Sequence, residues 1–505
     1  MKERWFNYRP LCLIFGFLLL GSVFSFYVLN YIVFTISITI AILASLLWLA
    51  IYKKKLQYFL VPFISFVLGI GLYYLAVFNY NKTINFTPNE VQARIYNISN
   101  EANGMIRVEC DSCVFDGKDI KDNLSLYVYD NSGLFKNIEV GNIIKFKPFK
   151  FYKADLFYYE TPSASLFAND LKYTASVKIE AVSYVKTDKT FAEKVKEKVK
   201  ENLEIGLTNE NAEIAYSALF GDKDLLPDKQ YDVYKLSGVA HLLAVSGLHV
   251  GIIVMILNLL CKYLKIKKWY KFSLIAIFLA FYVYLCGFSI SIMRASIMSL
   301  ILLIAGILHK EYDSFNSIAI AGIVIFLLNP FCIFDVGFLL SFSCVIGITM
   351  LYKPIRRAIS KTHMPKTIVD GVSISLATTI AIVFVMAYYF KTLNIISIIA
   401  NVILIPIFTI AFECVFTVSI VSLFGMPFLS YVLYPINYIF SFINLIATIL
   451  GNLSISNFNT LEFNFIAIVI YFVLLLFLGR FCTAKYQYKI ISTLPMVALL
   501  FYCLL

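Results

Sequence analysis

Apolar residues run along this chain in long blocks instead of the short alternations of a soluble domain. Three open the sequence: Leu11–Leu29, Tyr31–Ile51 and Gln57–Phe78, each long enough to cross about 30 Å of hydrocarbon. Later blocks fall at about 242–262, 272–288, 292–308, 315–329, 337–352, 368–390, 395–425, 429–450, 462–479 and 490–505. The pattern predicts an α-helical polytopic membrane protein of about 13 spans. The 395–425 block is too long for one simple crossing, and Pro406 predicts a break within it.

Residues 79–205 depart from this pattern. Val91–Ile98, Met105–Cys110, Leu124–Tyr129, Ile138–Phe151 and Tyr173–Val185 are rich in β-branched and aromatic residues. Asn103-Gly104, Asp116-Gly117 and Asn131-Ser132-Gly133 mark turns between them. Five short strands predict a small antiparallel barrel, of OB-like type or an unrelated sandwich. Phe191–Leu207 then reads as a Lys/Glu-rich amphipathic helix, a solvated connector or a surface-lying segment. The expected organisation is a three-helix membrane region over 1–78, an OB-like β domain over 79–186, a helical connector over 187–236 and a transmembrane domain over 237–505.

Composition agrees. The 505 residues are 60% apolar and only 15% charged, against about half and a quarter in soluble domains. Disorder, a coiled coil and a small secreted scaffold are excluded. The net charge of +12 is a topology signal, since residues 79–205 hold 18 basic and 18 acidic residues. Twenty Lys/Arg lie in predicted inner segments, against Lys391 alone in the short outer loops. That asymmetry predicts an inside N-terminus and an outward β domain.

The candidate chemistry centres on Leu236–Gly251. Ser237-Gly238, Ser246-Gly247, His241 and His249 weaken a helix where it enters lipid. Interrupted membrane helices line polar cavities, because lipid cannot satisfy open backbone groups. The alternative is a tight small-residue helix contact with interfacial histidines. Ser246 faintly resembles an intramembrane protease nucleophile, but Ala244 replaces the usual glycine and His249 lies only three residues away. His309 and His363 fall in predicted inner loops. No zinc-binding histidine motif and no P-loop occurs, so neither a metal nor another cofactor is expected, and no internal motor. Cys110 and Cys113 are either a local disulfide or two free thiols.

Charges within lipid come next, since such residues usually face the bundle interior. Arg294 reads as a phosphate-facing group near an outer mouth, or as the partner of Asp335 in a pair that ties two helices. Glu413 lies in the 395–425 block, and Asn401 is placed to cap or bridge its break.

The 236–251 segment resembles the signature of the ComEC family of DNA-uptake channels. Further matches follow in order: Ala218-Leu219-Phe220-Gly221-Asp222-Lys223, Gly287…Ser291…Arg294-Ala295…Met298, Asp335-Val336-Gly337-Phe338-Leu339-Leu340-Ser341-Phe342, and Asn401…Pro406. Val140-Gly141-Asn142 opens a strand as in that family. The resemblance implies a non-enzymatic channel in the cytoplasmic membrane that imports single-stranded DNA in natural transformation. It also implies a cytoplasmic helicase or translocase and an extracellular DNA receptor as partners, with strand degradation either supplied by a separate nuclease or absent. His241, Ser246, Gly247, His249, Arg294, Asp335 and Asn401 would line the DNA path; Gly221, Asp222, Ser237, Gly238, Gly337 and Pro406 would shape it. Two departures stand out. Leu339 occupies a position where the family often has Gln, and the chain ends at Leu505 without the metallo-β-lactamase-like nuclease domain of many members. A secondary transporter for another substrate is the rival on physical grounds alone.

Overall fold

The computed structural model describes residues 9–28, 56–81, 87–100, 105–120, 123–129, 138, 140–153, 171–222, 226–361, 364–453, 457–459, 468 and 471. The predicted blocks at 31–51, 490–505 and nearly all of 462–479 lie outside them, as do the turns at Asn103-Gly104 and Asn131-Ser132-Gly133 and residue His363. The chain divides into two compact units: Gly16–Lys198 with Ile325–Asp335, and Met1–Phe15 with Val199–Val324 and Val336–Leu505.

The first unit carries helices α1 (Pro10–Val28) and α2 (Gln57–Asn81) and a sheet. From Leu18 onward α1 packs closely on α2, because a side chain at Gly21 would run into the Phe66 carbonyl and one at Gly69 into the Leu18 carbonyl. Small residues let membrane helices approach in this way. The strands are β1 (Val91–Asn100), β2 (Met105–Phe115), β3 (Lys118–Ile120), β4 (Asn123–Tyr129), β5 (Ile143–Phe146), β6 (Lys150–Lys153), β7 (Leu171–Lys178) and β8 (Val182–Val185). Strict alternation along β7 buries Leu171, Tyr173, Ala175 and Val177. Asp116 and Gly117, both with positive φ (47° and 80°), form the tight turn of the β2–β3 hairpin at the predicted place. Gly141 (φ 93°) opens β5, its N–H donating to the Ile95 carbonyl at 2.8 Å.

Four expectations need correction. The hydrogen-bonded order is β6-β7-β4-β2-β1-β5-β8, with β3 on β2, so the described sheet is not a closed barrel. Nor is it all antiparallel, since β4 and β7 run parallel. The predicted Ile138–Phe151 strand is β5 and β6, split around Pro148, which has no N–H for a ladder. Because three residues separate strands that pair at opposite ends of the path, the sheet rolls around one apolar core without a closing ladder. Tyr173–Val185 is likewise two strands, divided by a 3-10 turn at Ile179–Ala181.

Cys110 and Cys113 form no disulfide, and both are buried in that core. Burial pushes the Cys110 thiol well above its ordinary range. Neither will react with a charged maleimide in the folded protein, and both will react after denaturation; mass spectrometry of the labelled peptides checks this.

The remaining helices are α3 (Phe191–Gly206), α4 (Asn209–Phe220), α5 (Asp228–Leu236), α6 (Gly247–Tyr263), α7 (Lys268–Leu285), α8 (Ile290–Ile307), α9 (Ser314–Leu328), α10 (Val336–Ile359), α11 (Lys366–Phe390), α12 (Ser397–Leu423) and α13 (Ile436–Gly451). Among the described residues seven helices are long and apolar enough to span a membrane, or eight if the bent Pro427–Leu433 and Ile436–Gly451 pair counts as one span. The α6 span is the most enclosed of the seven. In the second unit, α6 packs on α7, α8 and α12, and α8 also packs on α10.

The 187–236 region is more than a solvated connector. In α3, Asn202 donates to the Ser422 hydroxyl at 3.0 Å, and Gly206 lies against the Ser430 carbonyl. Most of α4 is buried. The predicted break at Pro406 is absent, because α12 continues through it as one 27-residue helix. Membrane helices tolerate proline where neighbouring groups satisfy the freed carbonyl.

Candidate functional site

The site begins where α5 ends. Val239 N–H donates to the Tyr234 carbonyl at 2.9 Å and Gly238 N–H to the Lys235 carbonyl at 3.1 Å. These bonds form a Schellman stop, with Gly238 in the left-handed position (φ 76°). The buried Ser237 hydroxyl donates back to the Val233 carbonyl at 2.9 Å. A short 3-10 turn, Ala240–Leu242, carries the exposed His241, and extended backbone at Ser246 starts α6. The short α5 therefore stops and α6 starts at the two Ser-Gly steps, ahead of an apolar span over Ala240–Tyr263.

Asn394 holds this interruption in place. Its amide donates to the Leu236 carbonyl at 2.5 Å, and its side-chain oxygen accepts from the Ser397 N–H at 3.0 Å. One side chain thus joins the last carbonyl of α5 to the first N–H of α12. Sequence reasoning missed Asn394, whose signal was an Asn three residues ahead of a Ser at a helix start.

His249 is fully buried. Its Nδ1 accepts from the Ser246 backbone N–H at 3.0 Å, completing the side-chain half of a capping box. The ring stacks on Phe412 at a centroid distance of 4.4 Å and lies 5.6 Å from Phe408. Nε2 is buried and has no partner among the described residues. With Nδ1 engaged by backbone, the imidazole is not posed as a base for the Ser246 hydroxyl.

Arg294, in the first turns of α8, is 5% exposed. Its Nη1 donates to the Ser341 backbone carbonyl on α10, and Nη2 lies 2.9 Å from where a Gly247 side chain would begin. Its Nε has no partner among the described residues. The Ser291 and Ser341 hydroxyls meet beside it at 2.9 Å. Asp335 follows the 3-10 turn Cys332–Phe334 and directly precedes α10, the position of a helix cap, with Gly337 in the first turn.

The other named residues sit apart from this cluster. Gly221 (φ 79°) ends α4, its N–H donating to the Ser217 carbonyl at 2.7 Å, while the Asp222 carbonyl accepts from the Ser217 hydroxyl at 2.5 Å. Asn401 bridges no break, and its buried side-chain oxygen has no partner among the described residues. Among the described residues no three His, Cys, Asp or Glu side chains converge as metal ligands would.

This arrangement joins an interrupted helix, a buried guanidinium and polar groups with spare hydrogen-bonding capacity. Comparison with known proteins places it. The chain is 31% identical over 223 residues to ComE operon protein 3 of Bacillus subtilis (strain 168), covering 43% of this chain and 28% of that one. It is 26% identical over 186 residues to Recombination protein 2 of Haemophilus influenzae (strain ATCC 51907), covering 35% and 22% respectively. The alignments thus span under a third of either curated relative. No solved structure matches the chain. A family model described as Competence protein matches residues 218–485, more than half of the sequence and every element of the interrupted-helix cluster. This chain belongs to the Competence protein family.

Proposed function

We propose that the chain forms a membrane channel through which single-stranded DNA enters the cell in natural transformation. The observation that carries this reading is the meeting, inside the family region, of an interrupted helix with a buried Arg294 that has no acidic partner among the described residues. Open backbone and unsatisfied polar groups at membrane depth belong beside water. His241, Ser246, Gly247, His249, Arg294, Asp335 and Asn401 are the proposed path residues, with no catalytic role.

In this reading about thirteen spans place the N-terminus inside and the rolled sheet outside, as an OB-like domain that orients the strand. Tyr129 and Phe149, with ring centroids 5.9 Å apart, and Tyr152 stand exposed on that sheet near Lys150 and Lys178. Aromatic and basic groups so placed suit stacked bases and phosphates. A cytoplasmic helicase or translocase supplies the drive, and an extracellular receptor delivers the strand. A secondary transporter for another substrate is the second reading, since the Gly238–Gly247 interruption suits it as well.

Deleting the gene from its competent host tests the proposal. Transformation by a chromosomal marker will fall to background and return on re-expression. Transformation equal to the parent strain would remove the channel role, and a lost small-solute uptake in its place would favour the transporter.

A further inference from the structure

We infer that Arg294 and the N-terminal end of α6 form a binding site for a phosphate-class oxyanion; that this oxyanion is a phosphodiester of the passing strand rests on the channel reading above. Three helix starts converge here: Gly247 is the first residue of α6, Arg294 the fifth of α8 and Ser341 the sixth of α10. Their side chains and backbone touch one another through the guanidinium. Neither α6 nor α8 has an acidic residue in its first turn, whereas Asp335 directly precedes α10. Each start carries the positive end of a helix dipole, and at α6 the Ser246 hydroxyl already takes the N–H of His249.

Arg294 is the second and independent sign of a ligand. It is more than nine-tenths buried; among the described residues its Nη1 donates to a neutral carbonyl and its buried Nε has no partner. None of the ion pairs among the described residues includes it. A buried cation in this state lacks its counter-charge. An oxyanion seated ahead of α6 supplies one, taking hydrogen bonds from the first N–H groups of the helix and from the guanidinium face turned to Gly247. Glycine at 247 is required for that approach, because a methyl group there would press on Nη2. The same contact is weak enough to release each phosphate in turn when it is single and repeated along a polymer.

The test uses the purified full chain in nanodiscs of neutral lipid, with thermal stabilisation as the readout. Inorganic phosphate and a short oligothymidylate will both stabilise the protein, and an oligothymidylate with an uncharged methylphosphonate backbone will bind about 10-fold or more weakly. Arg294→Gln will lose about 10-fold or more of the affinity for both anions, and Gly247→Ala will weaken both while keeping the charge. Unchanged anion affinity in both variants would overturn the site; if Arg294→Gln does not fold, Gly247→Ala alone decides. Stabilisation that arises only with phosphatidylglycerol in the disc would assign the site to a lipid headgroup and overturn the strand as its occupant. Anion binding through Arg294 with undiminished transformation by the same variant would keep the site and reject the channel reading. Anion binding indifferent to Arg294 with lost transformation would do the reverse.

Discussion

Gly238→Val will destabilise the protein by about 2–5 kcal/mol and abolish DNA uptake. Two costs combine in that figure. A left-handed backbone costs about 1–2 kcal/mol for an L side chain, and overpacking adds about 1–3 kcal/mol. At Gly238 φ is 76°, and a Cβ would lie 2.5 Å from the Ser397 Cβ and 3.0 Å from the Asn394 side chain. The clash falls on the contact that ties the end of α5 to the start of α12, so α6 would start from a displaced turn. Gly251→Ala is the matched control. Its Cβ meets nothing within 4 Å and its backbone is helical, so stability will hold or rise. Thermal unfolding in detergent, read beside transformation frequency, checks both. Equal melting of the two variants would mean that the turn at Gly238 is not held as described.

Arg294→Ala will lower DNA uptake by about 10-fold or more at an unchanged protein level. A charge-assisted hydrogen bond contributes about 1.5–3 kcal/mol, and 1.4 kcal/mol is about tenfold. Truncation removes the guanidinium from both its Ser341 contact and its approach to Gly247. Arg294→Lys separates charge from geometry. The ammonium keeps the charge but lacks the fork that serves two partners at once, so its uptake will lie between wild type and alanine. If alanine and lysine variants take up DNA as well as the parent, Arg294 is packing material only.

The sequence was legible where one residue type has one local meaning. Ser-Gly steps at 237–238 and 246–247 could only weaken a helix, and α5 does stop and α6 does start there. Asp116-Gly117 demanded a tight turn and forms one. A charge at Arg294 inside apolar surroundings had to be buried or at a boundary, and it is buried. Partners were not legible, because they come from distant segments. The Ser341 carbonyl, the Phe412 ring and the Asn394 side chain meet their targets across 47 to 163 positions of sequence.

Pairing of strands failed for the same reason. Nothing local in Asn123–Tyr129 or Leu171–Lys178 says that they run parallel. Pro406 misled in a different way. Its missing N–H is a local fact, but whether it breaks a helix depends on the groups packed around it, and α12 runs through intact.

Water beside the start of α6 is the central physical claim, and thiol accessibility tests it most directly. In a cysteine-free background, Ser246→Cys on the interrupted segment is compared with Ile277→Cys, 72% exposed on the apolar surface of α7. A charged, membrane-impermeant thiol reagent will modify Ser246→Cys in intact membranes, and single-stranded DNA will slow the reaction. Ile277→Cys, facing lipid, will stay unmodified. A Ser246→Cys protein as inert as Ile277→Cys would contradict the hydrated passage.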